Sequence, residues 1–250
     1  MPVTFTKKPK ASMTTELTPL VPGHAPREEN QLVTRFDPSN KTTRTALGLV
    51  TDASPSMTGF TDRQLQSAVS MVAELRQLSS TSRSVIMNIV QIGTPPVATG
   101  FSEIAKFCVP EMHIAMSTPL HAALDQMSHD LGALFSDFRA RGIERTESVV
   151  IIMTDGFANG TSEEQLNESI RKFLELGKKW SVTNLVVGVG SQLNEPLLKA
   201  LANKVPPMRI DELNADCLMP FIQKIAEQAS RSRPDRKFEV KLPSGLEPIE

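Results

Sequence analysis

Two cysteines in 250 residues, Cys108 and Cys217, stand apart, with no CxxC pair and no His at ligand spacing. Neither a disulfide framework nor a structural zinc site organises such a chain, and reduced structural thiols are expected. Charge of one sign is equally scarce: 27 basic against 28 acidic residues leave a formal net charge of -1. That balance supplies no field to draw in nucleic acid or an anionic membrane. No apolar run approaches the roughly 20 residues of a membrane span, and Met1-Pro2-Val3-Thr4 does not open as a signal peptide. A cytoplasmic protein is therefore expected. Neither a GxxxxGK[ST] phosphate loop nor a GxSxG elbow occurs, so nucleotide hydrolysis and serine-hydrolase chemistry find no support. Gly188-Val189-Gly190 lacks the third glycine of a dinucleotide fingerprint and reads as a strand exit.

What is present is ordinary globular material, 40% hydrophobic and 22% charged, long enough to bury a core without covalent staples. Residues 1–43 carry Pro2, Pro9, Pro19, Pro22, Pro26 and Pro38 and little periodicity, which predicts an extended arm. A short strand at 33–36 is compatible with the pattern. From residue 44 to 230 strands and helices alternate. Apolar strands are predicted at 45–50, 85–92, 148–153 and 183–189. An amphipathic helix is predicted over 62–78, with Leu65, Val69, Val72, Leu75 and Leu78 at three- and four-residue steps. Further helices fall at 118–138, 162–180 (capped by Thr161 or Ser162), 195–202 and 215–229. Residues 97–101, after Gly93-Thr94-Pro95-Pro96, predict an antiparallel hairpin at a sheet edge, and 208–210 an edge strand. Strands apolar throughout and separated by helices predict an α/β, doubly wound, mostly parallel sheet with one antiparallel edge strand and helices on both faces. Residues 231–250 turn basic and then Pro-rich, predicting a solvated tail in which 238–242 alternates like a lone strand; the alternative is partner docking by strand addition.

The informative stretch is Thr51-Asp52-Ala53-Ser54-Pro55-Ser56-Met57, which leaves the first apolar strand. Asp52, Ser54 and Ser56 offer three oxygens from one loop, too few to fill the shell of a hard divalent cation. Asp155, in Thr154-Asp155-Gly156, follows a second strand, and Thr118, in Ser117-Thr118-Pro119-Leu120, precedes a long helix. In an open parallel sheet, loops beyond the carboxyl ends of the strands meet at the ligand site. Five side-chain oxygens on three loops at that edge point to a metal site. His113, His121 and His129 recur every eight residues. The last two lie about 12 Å apart along one helix, too far to share an ion. The methionines at 71, 87, 112, 116, 127 and 153 fall mostly at apolar periodic positions and read as core, with Met57, Met112 and Met116 set apart as candidates for the site rim.

At these residues the sequence resembles the von Willebrand factor A domain with its metal-ion-dependent adhesion site. The motif Asp-x-Ser-x-Ser matches Asp52-Ala53-Ser54-Pro55-Ser56, followed by Thr118-Pro119-Leu120 and Thr154-Asp155-Gly156. The resemblance spans roughly 44–230 and looks closest to the bacterial TerY/YegL-like branch, associated with tellurite-resistance and stress gene clusters. It implies that Ser54 and Ser56 ligate Mg²⁺ (or Mn²⁺) directly and that Thr118 does so directly or through water. Asp52 and Asp155 are then bridged mainly by water, and an acidic residue of a protein partner fills the open position. Neutral hydroxyls leave such an ion electrophilic, so an incoming carboxylate gains a strong charge-assisted contact. Pro55 stands where the family usually has Gly, and Ser117 where Gly often precedes the Thr; neither removes a ligand. The expectation is a non-enzymatic, metal-dependent protein-interaction module. The alternatives are a metal-assisted phosphohydrolase at the same site and a scaffold in which the metal is only structural. Haloacid-dehalogenase-type chemistry needs a second acid two residues after Asp52, where Ser54 stands.

Overall fold

The structure is a computed structural model that describes residues 42–54, 58–111, 117–211, 217–231 and 240–249. The arm predicted before residue 42, with its strand at 33–36, lies outside the described residues, and so do Pro55, Ser56, Met57, Met112, His113 and Met116.

Strand β1 (Thr45–Thr51) is followed by α1 (Thr58–Gln77), α2 (Ser79–Ser84), β2 (Val85–Gln91) and two short strands, β3 (Val97–Ala98) and β4 (Ser102–Glu103). Then come α3 (Leu120–Arg141), β5 (Ser148–Thr154), α4 (Glu163–Trp180), β6 (Val182–Val189), α5 (Glu195–Leu201), β7 (Met208–Ile210), α6 (Leu218–Arg231) and β8 (Leu246–Pro248). One eight-stranded sheet runs β3-β2-β1-β5-β6-β7-β8, with β4 also paired to β2. The pairs β1–β2, β1–β5, β5–β6 and β6–β7 are parallel. This is the doubly wound, mostly parallel sheet predicted.

Every residue of β1, β2, β5 and β6 is buried, because the alternation of the pleat sends side chains into two separate cores. Leu47, Leu49, Val149, Ile151, Met153, Leu185 and Val187 enter the core covered by α1 and α6. Ala46, Val50, Val150, Ile152 and Val186 enter the other, packed by α3, α4 and α5. Gly48 faces α3 so closely that a Cβ there would lie 2.9 Å from Met127 Sδ. The methionines at 71, 87, 127 and 153 are all buried.

The antiparallel edge is formed by β3 and β4 on β2, with Val90 opposite Ala98 and Met87 opposite Ser102. The opposite edge adds a second antiparallel strand. Leu246–Pro248 lies along β7, with Ile210 opposite Leu246. This corrects the solvated tail expected for 231–250: Leu246 and Ile249 are buried, and the Ile249 N–H donates to the Pro207 carbonyl at 2.8 Å. The strand forms after the turn at Gly245 (φ 97°), where apolar side chains reach the core. Residues 240–242, inside the stretch predicted to be a strand, are not one.

Two helix readings also change. Among the residues of α1 whose side chains are described, the buried stripe is Ala68, Met71, Val72 and Leu75, while Val69 is 52% exposed; the predicted Leu65 lies outside them. Small Ala68 occupies the inward position, and a residue one step along is turned about 100° away. Helix α2, Ser-Ser-Thr-Ser-Arg-Ser, has no apolar period to announce it. Thr81 anchors it by donating its hydroxyl to the Leu75 carbonyl at 2.6 Å. Cys108 is exposed and Cys217 partly so, neither in a disulfide; Cys217 packs against the core as a structural thiol would, whereas Cys108 does not.

Candidate metal centre

The two parallel strands at the centre, β1 and β5, mark the place where the winding reverses, since β1 leads to β2 on one side and β5 to β6 on the other. Loops leaving such a pair diverge and open a crevice at the strand carboxyl ends. Asp52 and Asp155 each directly follow one of these strands.

Asp52 extends the ladder by one bond beyond β1, its N–H donating to the Met153 carbonyl at 3.0 Å. Its carboxylate is thereby fixed and almost wholly buried. Oδ1 accepts from the Ser54 N–H at 2.9 Å, an Asx-type turn that carries the chain toward Ser54. Oδ2 accepts from the Thr154 hydroxyl at 2.8 Å, across 102 residues of sequence. The same Thr154 oxygen accepts from the Gly156 N–H at 3.0 Å, so one hydroxyl ties the Asp52 loop to the Asp155 loop. Asp155 is oriented in turn by the Phe157 N–H, which donates to Oδ1 at 2.9 Å. The Asn194 N–H holds the Asp155 carbonyl at 3.0 Å.

Thr118 is buried just ahead of α3. Its N–H donates to Asn159 Oδ1 at 2.7 Å, and its carbonyl accepts from the Asn159 N–H at 3.2 Å. Both bonds bind the Thr118 loop to the loop that carries Asp155. Gly156 turns that loop with φ 84°, and a Cβ there would sit 3.0 Å from the Asn194 Cβ. Only glycine meets both demands.

Burial pushes the Asp52 carboxyl above its ordinary value of 3.8. Hydrogen bonds from Ser54 and Thr154 pull it back, and the neighbouring charge of Asp155 pushes it up again. Among the described residues no basic side chain is an influence on it. Of the residues singled out in the sequence, Asp52, Ser54, Thr118 and Asp155 are therefore carried by three loops that hydrogen bonds lash together. Ser56 lies outside the described residues.

Three residues at the site were not singled out in the sequence: Thr154, Asn159 and Asn194. Thr154 sat in the Thr154-Asp155-Gly156 motif as a strand end. The dipeptide Asn159-Gly160 is a turn signal that marks the loop, but nothing local reveals that the Asn159 side chain reaches Thr118. Asn194 caps α5, accepting from the Leu197 N–H at 3.4 Å, and its second task depends on the tertiary fold. The two described histidines, His121 and His129, make their contacts elsewhere. His121 Nδ1 pairs with the Thr161 hydroxyl at 2.6 Å, and the His129 side chain is 64% exposed.

Among the described residues no three His, Cys, Asp or Glu gather in one place. The centre instead offers hydroxyls and two carboxylates, a hard oxygen donor set of the kind Mg²⁺ and Mn²⁺ accept. A buried carboxylate beside a second one, with no basic side chain among the described residues acting on it, fits a divalent cation. Each Asp52 oxygen has already spent one lone pair on a protein donor. The carboxylate is thus suited to hold bridging water, with hydroxyls nearer the ion.

No protein-family model matches the chain, and no curated protein matches it in sequence. Solved structures do match it in fold. A von Willebrand factor type A protein from Catenulispora acidiphila aligns with a TM-score of 0.55 at 13% identity, covering 75% of this chain and 43% of that one. The pilus adhesin SpaC from Lactobacillus rhamnosus GG, in its open conformation, aligns with a TM-score of 0.58 at 11% identity, covering 78% and 31%. The chain spans less than half the length of these structures. The architecture is a doubly wound α/β sheet with acidic loops at its central crevice. Its fold is that of the von Willebrand factor A domain.

Proposed function

We propose that this face holds a divalent cation, Mg²⁺ or Mn²⁺, through Ser54, Ser56 and Thr118 with Asp52 and Asp155 behind them, and presents it to an acidic residue of a protein partner. The chain then acts as a metal-dependent interaction module and catalyses no reaction. The reading rests on one observation above the others. Asp52 is buried beside Asp155, its own carboxyl pushed toward the neutral form, with hydrogen bonds but, among the described residues, no basic side chain acting on it. A pair of this kind is costly without a cation and favourable with one. The ion, when bound, supplies an electrophilic position for an incoming carboxylate. The protein's own part is to hold the hydroxyls and orient the acids, which Thr154 and Asn159 do. The motif's resemblance to the TerY/YegL-like branch makes a bacterial tellurite-resistance or stress assembly the setting of this reading.

Isothermal titration of the metal-free chain with MgCl₂ and MnCl₂ tests it. One ion per chain is expected, lost in Asp52→Ala and Asp155→Ala. Partner capture should vanish with chelator and in the same variants, and phosphomonoesters should not turn over. Metal-dependent phosphoester hydrolysis abolished by Asp52→Ala would establish the enzyme reading instead. Capture indifferent to metal would establish the scaffold.

A further inference from the structure

A second site lies at the other end of β5, on the order of 20 Å from the metal face by the strand's length at about 3.3 Å per residue. There a cleft of about 330 Å³ opens between the end of α3, the segment leading into β5 and the end of α4. Its walls include Phe135, Ile143 and Trp180, with Arg145 among them and Arg139 and Glu144 beside it. The Arg145 guanidinium carbon sits 4.9 Å from the centre of the Phe135 ring and 5.8 Å from that of Trp180. Stacking of this sort satisfies the faces of a guanidinium and leaves its edge N–H groups to find acceptors.

Arg145 Nη1 finds none: it is buried with no hydrogen-bond partner among the described residues. Glu147 acts on it through charge, but Glu147 Oε1 is committed to the Thr183 hydroxyl at 2.5 Å and to Lys204 Nζ at 2.6 Å, and Oε2 makes no hydrogen bond to Arg145 or to any other described group. Burial holds the Arg145 guanidinium below its ordinary value, as expected for a cation that has lost water without gaining a full partner. A structural strut across two aromatic rings needs no such loose N–H. A seat for an anion does.

We propose that this cleft binds a carboxylate carried on an apolar or aromatic body. The carboxylate meets Arg145, and the body lies against Phe135, Ile143 and Trp180. Arg145 and Arg139 against Glu144 leave the lining with one net positive charge, which matches a monoanion better than a dianionic phosphate. Two sources present this chemistry, a free small acid and the C-terminal carboxylate of a peptide ending in an apolar residue.

Trp180 is the chain's single tryptophan, so its fluorescence reports on this cleft alone. Benzoate, its neutral isostere benzamide, inorganic phosphate and the peptide acetyl-Gly-Gly-Phe as free acid are titrated against the full chain. Saturation-transfer NMR of the benzoate ring provides a readout independent of the fluorophore. Benzoate or the peptide acid should give a saturable response, with benzamide and phosphate giving none, and the tighter of the two acids identifies the source. Arg145→Gln should weaken binding by about tenfold or more. Arg145→Lys should also weaken it, because the point charge lacks the planar fork. Equal responses to benzamide or phosphate, or an Arg145→Gln protein that binds as tightly as the natural one, would overturn the assignment. If Arg145→Gln fails to fold, the benzoate and benzamide comparison on the natural chain decides.

Discussion

Thr154→Val tests whether one hydroxyl locks the metal loops together. Valine keeps the branched shape favoured in a strand and replaces Oγ1 by a methyl group, so little packing is lost. Two interactions disappear: the 2.8 Å bond donated to Asp52 Oδ2 and the 3.0 Å bond accepted from the Gly156 N–H. A hydrogen bond to a charged group is worth about 1.5–3 kcal/mol, and orphaning a buried N–H costs about 1–3 kcal/mol. Because one oxygen serves both, the costs overlap, and a loss of about 3 kcal/mol is expected. Urea denaturation of the metal-free protein should show the midpoint falling with an unchanged slope. Thr154→Ser, which keeps the hydroxyl, should stay within about 1 kcal/mol of the natural chain. Mg²⁺ affinity should fall at least about tenfold in the valine variant, since Asp52 loses the bond that aims it. If Thr154→Val unfolds at the same urea concentration as the natural protein and binds Mg²⁺ as well, the hydroxyl holds nothing together.

Gly156→Ala should destabilise the chain by about 2 kcal/mol or more, combining left-handed backbone strain with a Cβ 3.0 Å from the Asn194 Cβ; chemical denaturation measures it. The pH dependence follows from Asp52, whose carboxyl in the folded protein sits above the ordinary 3.8. The folded state holds that proton more tightly than the unfolded chain, so the contribution is fully present below pH 3.8 and lost as pH rises through the folded value. Metal-free Asp52→Asn should therefore match the natural chain in acid and exceed its stability at neutral pH; denaturation midpoints taken across that range decide, and a natural chain that gains on the variant as pH rises refutes the sign. Lys204→Met removes the 2.6 Å partner of Glu147, whose side chain is 1% exposed. Breaking a buried pair costs about 3–5 kcal/mol, moderated toward about 2 because Lys204 is partly in water; the shift in thermal midpoint checks it.

The core of this fold was legible because β1, β2, β5 and β6 are buried on both faces, and a strand of that kind has to be apolar at every position. Their order in the sheet was not, since nothing in Thr45–Thr51 states that β5 rather than another strand will lie beside it. Elements held by single polar contacts escaped as well. Helix α2 depends on Thr81 and carries no hydrophobic period, and β8 depends on Leu246 and Ile249 reaching a core whose position only the tertiary structure fixes. The metal face divides in the same way. Asp52 and Asp155 stand out because each directly follows a strong strand, whereas Asn159 and Asn194 work through backbone groups far away in sequence.

The two ends of β5 are electrostatic opposites, and the difference has a cause in the parallel sheet. At its carboxyl end the loops of β1 and β5 part around a crevice, so the acids placed there are buried together and the charge of Asp155 acts on Asp52. At its amino end the chain enters from Gly142, which turns in the left-handed region with φ 64°, and Arg145 is pressed against aromatic rings before the strand begins. Protons and metal ions compete for the first site, because the form of Asp52 that a cation needs is the one burial disfavours. A carboxylate arriving at the second site has no such competitor, since a guanidinium stays charged across the physiological range. Occupancy at the two ends should accordingly differ in kind: the metal face is lost on acidification, while the arginine cleft keeps its ligand until the ligand's own carboxylate is protonated.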